Sequence, residues 1–191
     1  VRSGSCVVAG KGITIKASAA LWARCLSPLS LFIPMDIREA DTSHLEAILP
    51  IQRQVHELHV QREPDRYKPI SDVDLRAYLQ SHIVNHKSCV FVAVNMDEVV
   101  GYLVLETRQS ADTPFTFARR YGLVDQMGVR SDMQRRGIGA QLLEAAKKSC
   151  ATANLESLQL DVRQPNEEAR AFYEAFGFSV ANLHMVMPVA G

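Results

Sequence analysis

No Cys-x-x-Cys pair occurs in the 191 residues, although there are four cysteines, at positions 6, 25, 89 and 150. A zinc knuckle or a dithiol redox site needs such close pairs, so neither fits. Cys89 and Cys150 fall in apolar-patterned segments and read as buried thiols, so a reducing, cytoplasmic setting is the simpler expectation. No run of about eighteen uninterrupted apolar residues is present, and we expect no membrane span. Net charge is absent too: 21 Lys and Arg balance 21 Asp and Glu. That removes the electrostatic case for a nucleic-acid partner. Two phosphate-binding signatures are missing. There is no pair of glycines four residues apart followed by Lys-Ser/Thr, and no Gly-x-Gly-x-x-Gly. Internal repeats and low-complexity tracts are missing as well.

What is present points to one globular domain. Apolar residues make up 47% and charged residues 22%, a balance that favours a folded core over disorder. The charge is unevenly spread. Residues 1–34 hold four basic residues (Arg2, Lys11, Lys16, Arg24) and no acidic ones, which leaves a net of −4 beyond them. We expect residues 1–34 to be an N-terminal extension, poorly ordered or foreign to the domain, with a targeting leader and a real structural extension as alternatives. Residues 35–191 then form the single domain.

The patterning sets an order of elements. Met35–Ala40 reads as a strand. Asp41 reads as the N-cap of a helix to about His59, kinked or split by Pro50. A proline-bearing loop follows to Ile70, and Ser71 caps a helix to about Asn85. Ser88–Val94 and Val99–Glu106 make a hairpin, Thr107–Arg120 a polar loop, and Gly122–Val129 a fourth strand. A helix from Gly137 to Cys150, a strand at Leu158–Val162 and a helix from Glu167 to Phe176 complete the α/β alternation, with one or two last strands in Phe178–Pro188.

The most informative run is Val129-Arg130-Ser131-Asp132-Met133-Gln134-Arg135-Arg136-Gly137-Ile138-Gly139-Ala140. It reads as a strand end, a glycine-bearing turn and a helix start. Free N–H groups and the positive end of the helix dipole converge there, which suits phosphate. Gly137 and Gly139 are expected to leave room for a ligand, and Arg135 and Arg136 add positive charge. Gln134-x-x-Gly137-x-Gly139 resembles the acetyl-coenzyme A loop of the GNAT superfamily of N-acetyltransferases. Asn166-x-x-Ala169-x-x-Phe172-Tyr173-x-x-x-Gly177-Phe178 resembles that superfamily's second motif, and the likeness spans roughly residues 35–190.

The resemblance implies a mixed, largely antiparallel sheet of six to seven strands with helices on both faces, splayed between strands 4 and 5. It implies acetyl-CoA as co-substrate and no metal. Backbone amides from Arg135 to Ala140, Ile138 included, would hold the pyrophosphate. Met127 and Val129, with Gly128 between them, would pair with the pantetheine arm. Asn166 would contact the cofactor from the other side, and Tyr173 would sit near the thioester sulfur as general acid. For the base, Asp125 is two residues before Met127, hence expected on the same strand face and tuned by burial. Gln126, Glu106 and a water relay stand as alternatives.

His59 and Tyr67, in a stretch His56–Tyr67, and Glu106 are candidate acceptor-site residues. His56 and His59 lack partners for a zinc site. A covalent acetyl-cysteine route is disfavoured because neither Cys89 nor Cys150 has an evident base. The expected reaction is direct transfer to a primary amine, with a small-molecule acceptor favoured. Alternatives are a protein N-terminus or lysine as acceptor, and a non-catalytic acyl-CoA sensor. The resemblance also allows a homodimer, which no residue here reports.

Overall fold

The computed structural model describes residues 35–163, 166–187 and 189. The expected N-terminal extension, residues 1–34, lies outside the described residues, as do Gln164, Pro165 and Pro188.

Among the described residues, five strands form one sheet in the order β1-β2-β3-β4-β5. They are β1 (Asp36–Glu39), β2 (Ser88–Asn95), β3 (Glu98–Gln109), β4 (Arg120–Val129) and β5 (Leu158–Leu160). The first four pair antiparallel, and β5 joins β4 in parallel. The β2–β3 turn places Met96 and Asp97 at φ 47° and 65°, as a tight two-residue hairpin requires.

Helices α1 (Leu45–Arg62) and α2 (Asp72–Ile83) cover one face. There Ile48, Ile51, Leu75 and Leu79 pack on Val90, Val92, Tyr102 and Val104. Helix α3 (Ile138–Thr152) covers the other face with Ile138, Leu142, Leu143 and Ala146 against Ala93, Leu103, Leu105 and Val124. Helix α4 (Glu167–Phe176) leans on this second cluster through Phe172, Tyr173 and Phe176. With both faces covered, β2 and β3 bury successive residues, which explains their near-continuous apolar runs.

Several expectations shift. Asp41 caps a short 3-10 turn, Thr42–His44, accepting from the Ser43 N–H at 2.8 Å, and the α-helix begins at Leu45. Pro50 does not split α1, which runs on through it to Arg62. The ring sits on the exposed side, and the loss is the one N–H that would reach the Glu46 carbonyl. β5 stops at Leu160 rather than Val162. The expected six to seven strands reduce to five among the described residues, because Phe178–Met187 forms no strand. Three-residue β5 offers too short an edge to template another, and Leu183, Met185 and Met187 stay exposed. Among the described residues, no helix is long and apolar enough to cross a membrane.

Candidate acetyl-transfer site

β4 and β5 pair at only three positions, Gly122 with Leu158, Leu123 with Gln159 and Val124 with Leu160. β4 then runs five residues further, to Val129, with no β5 partner. A bulge lies at the fork. Val104 pairs with Gln126 and Leu105 with Val124, so Asp125 is an extra residue with no opposite number in β3.

The bulge resets the alternation of side chains. Val124 and Met127, three apart, both join the α3 face. Gln126 turns to the α1 face, where its Oε1 accepts from Gln52 Nε2 and from the Tyr102 hydroxyl, each at 3.1 Å. Asp125 accepts from the Tyr78 hydroxyl of α2. Asp125 and Met127 therefore lie on opposite faces rather than on one, because two-residue spacing keeps side chains on the same face only in an unbroken strand. Asp125 is also exposed rather than buried.

Backbone direction beyond the fork follows from register. Arg130 N–H donates to the Val100 carbonyl at 2.9 Å, which makes Gly101–Val129 a non-hydrogen-bonded pair. Alternation then gives Leu103–Met127 the same character. The N–H and C=O groups of Met127 and Val129 thus point away from β3 into the gap, while those of Gly128 bond β3. Gly128 is a packing glycine: a Cβ there would meet Val55 Cγ2 at 2.7 Å and Tyr102 Cε1 at 2.9 Å. Gln54, on α1, donates to the Val129 carbonyl at 3.1 Å and accepts from Ser131 N–H at 3.0 Å. Gln134 Nε2 donates to the same carbonyl, also at 3.1 Å.

The gap ends at the α3 N-terminus. Arg135 (φ 61°) and Gly137 (φ 77°) are both left-handed, which folds the chain into a concave run of amides. No side chain caps α3, and the first helical bond runs from Gln141 N–H to the Gly137 carbonyl. The N–H groups of Ile138, Gly139 and Ala140 have no carbonyl one turn back to bond. Ile138 is buried and anchors the turn, while Arg135 and Arg136 are exposed, Arg135 in an ion pair with Glu168. Gly139 also lies close under α4, where a Cβ would be 3.1 Å from Phe172 Cζ.

The far wall is α4. Asn166 caps it, its Oδ1 accepting from Ala169 N–H at 3.4 Å and from Arg62 at 2.7 Å. Tyr173 packs between Phe172 and Phe178, with ring centroids 5.2 and 5.8 Å away. Burial pushes its phenol above the usual tyrosine range. Among the described residues its hydroxyl has no hydrogen-bond partner.

Two further groupings flank the gap. At the end of α1, His59 stacks on Tyr67 (5.1 Å, 26°), His56 meets that ring edge-on, and the Arg66 guanidinium lies 5.8 Å from its centroid. Burial, then the charges of His56 and Arg62, hold His59 below the usual histidine value, and Glu63 opposes them. Arg163 pairs with Glu63 at 2.7 Å, so α1 and its following residue reach the segment beyond β5 at two points. The second grouping was not legible in the sequence. His82 of α2 meets Glu106 of β3 at 2.9 Å, Arg108 pairs with Glu106, and Asp125 lies beside them with Tyr78. His82, Glu106 and Asp125 offer ligand atoms within 4.8 Å of one another, a set able to hold a divalent ion, although hydrogen bonds and ion pairs already engage it. The one local signal that could have pointed to it is the pair Tyr78 and His82, one turn apart on α2. His59 and Tyr67 come together as expected, whereas Glu106 belongs to this other group.

The cysteines stand apart. Burial pushes the Cys89 thiol up to about 12 and raises that of Cys150, so neither is a ready nucleophile.

Comparison with known proteins agrees with this layout. A family model described as the acetyltransferase (GNAT) family matches residues 53–178. The chain is 28% identical over 145 residues to an uncharacterized N-acetyltransferase, YhfO, of Bacillus subtilis, covering 75% of this chain and 89% of that one. The crystal structure of a tetramutant of the BH1408 protein from Bacillus halodurans superposes with a TM-score of 0.77 at 26% identity, over 81% of this chain and all of that one. Aminoglycoside N-acetyltransferase AAC(6')-Iy in complex with CoA shares the fold, with a TM-score of 0.64 at 17% identity, over 82% of this chain and 95% of that one. The chain belongs to the GNAT family and is an acyltransferase acting on amino groups.

Proposed function

We propose that this chain transfers the acetyl group of acetyl-CoA directly to the primary amine of a small molecule. The observation that carries the reading is the unpaired end of β4, which leads straight into the left-handed turn at the α3 N-terminus. An extended pantetheine arm fits the gap as an added strand, pairing with the outward backbone groups of Met127 and Val129. Its pyrophosphate rests on the amides from Arg135 to Ala140, with Arg136 adding charge. Gln134 keeps the loop against β4, and Asn166 forms the opposite wall.

Each chemical step has a residue. Attack on the thioester builds negative charge on the carbonyl oxygen, which one outward strand N–H, of Met127 or Val129, would stabilise while the other pairs with the pantetheine arm. The departing sulfur needs a proton, and a raised phenol such as Tyr173 holds one at neutral pH. Asp125, at the fork, is engaged by the Tyr78 hydroxyl and braces the bulge against α2. The Arg62–Asn166 and Glu63–Arg163 contacts narrow the opening, which favours a small acceptor over a protein chain.

Calorimetric titration with acetyl-CoA tests the site. The wild-type protein binds, and Gly137→Pro greatly weakens binding, because proline cannot adopt φ 77°. Unchanged affinity in a variant with wild-type circular dichroism refutes the loop assignment. A panel of amines, followed by free-thiol release, then identifies the acceptor class.

A further inference from the structure

We infer that His59 is the group that takes the proton from the acceptor amine, an assignment that rests on the acetyl-transfer reading above. The placement comes from one face of α1. Val55, His59 and Arg62 fall at i, i+4 and i+7, one stripe of the helix. Val55 sits on β4, its Cγ2 2.7 Å from where a Gly128 side chain would begin. Arg62 reaches across to Asn166 at 2.7 Å. Seven residues of helix span about 10.5 Å at about 1.5 Å each. That rise is comparable with two strand spacings of about 4.8 Å. On this stripe His59 falls between Val55, seated on β4, and Arg62, which reaches the far wall at Asn166.

The ring is held and its nitrogens are available. Stacking on Tyr67 fixes its plane. Among the described residues, neither ring nitrogen has a hydrogen-bond partner, in contrast to His56, whose Nε2 meets the Lys68 carbonyl at 2.8 Å. The charged and titratable groups around it are His56, Arg62 and Glu63 from α1 and its end, Arg66 and Tyr67 on the next loop, and Arg163 beyond β5. The one carboxylate of β4, Asp125, is turned to Tyr78 of α2. Glu63 is engaged by Arg163. Partial burial, then the charges of His56 and Arg62, shift the imidazole toward its neutral form, the form that accepts a proton.

The step balances. An ammonium group gives one proton to a ring nitrogen of His59. The freed lone pair forms the C–N bond at the thioester carbonyl, and the C–S bond breaks with its electrons on sulfur. Sulfur takes the Tyr173 phenol proton, the nitrogen's second proton returns to that phenolate, and His59 releases its proton to water. The products are the amide, coenzyme A and one proton.

The test uses the full chain, acetyl-CoA and four amines: 1,4-diaminobutane, kanamycin and glycinamide, which carry protons near pH 7, and methoxyamine, which does not. In His59→Gln, turnover of the protonated amines falls about 100-fold or more, the usual scale of general-base loss. Turnover of methoxyamine changes less than about 3-fold, and acetyl-CoA affinity by calorimetry is unchanged. His59→Ala recovers activity on added imidazole. A merely structural role would lower all amines together, so equal losses, or no loss, overturn the assignment. Failure of the wild-type chain to bind acetyl-CoA, or to release thiol with any of these amines, overturns the acetyl-transfer reading and the His59 role with it.

Discussion

Gly128→Ala is the sharpest probe of how the site is built. A methyl group there would stand 2.7 Å from Val55 Cγ2, 2.9 Å from Tyr102 Cε1 and 3.2 Å from Ile51 Cγ2. Relaxed carbon contacts lie near 3.5–4.0 Å, so α1 must retreat from β4 by about 1 Å. Tyr102 is fully buried and cannot yield. Overpacking of this kind costs about 1–3 kcal/mol, or a fall in Tm of about 2–12 °C for a domain of this length. Urea denaturation should show a lower midpoint with an unchanged slope. Removing Val55 Cγ2 relieves the tightest of the three contacts, so the double variant Gly128→Ala/Val55→Ala should be less destabilised than the two single changes added together, and a double-mutant cycle measures the difference. The shift also carries Gln54 and His59 away from β4, so acetyl transfer should weaken in the single variant. A Gly128→Ala protein with wild-type stability would refute the close seating of α1 on β4, and with it the placement of both residues.

Two more changes separate the roles around the gap. Tyr173→Phe should lower kcat about 100-fold or more while leaving acetyl-CoA affinity unchanged. The phenol is raised, so the wild-type rate should fall only above the usual tyrosine range, as pH strips the acid of its proton, and that high-pH limb should vanish in the variant. An unaffected rate removes the acid role. Gln54→Ala deletes two hydrogen bonds, one to the Val129 carbonyl and one from Ser131 N–H. At about 1 kcal/mol each, their loss should weaken acetyl-CoA binding by up to about 30-fold and speed amide hydrogen exchange at Ser131. Unchanged exchange at Ser131 would remove Gln54 as the tie between α1 and the loop.

What could be read from the chain, and what could not, divides along the range of the signals. The turn at Gln134–Ala140 and the helix Glu167–Phe176 were legible because each is written locally. Gly137 and Gly177 are the residues that tolerate φ 77° and 116°, and Asn166 is a capping side chain that accepts from the first turn. The bulge at Asp125 has no such mark. Neither glycine nor proline sits there, and the extra residue exists only relative to β3, through a register that shifts between Val104 and Leu105. One inserted residue was enough to put Asp125 and Met127 on opposite faces. The same reason hides Gln54 and the His82–Glu106 pair, whose partners lie 75 and 24 residues away. Leu183, Met185 and Met187 show the converse. Their alternation is a local strand signal, yet no pairing edge meets it among the described residues. A strand is a relation between two segments, and so is a proton-transfer site. The turn proposed to hold phosphate is written in its own residues and was visible in sequence, whereas the arrangement of the groups proposed to meet the amine depends on how α1 packs on β4 and on a register that only the paired strands define.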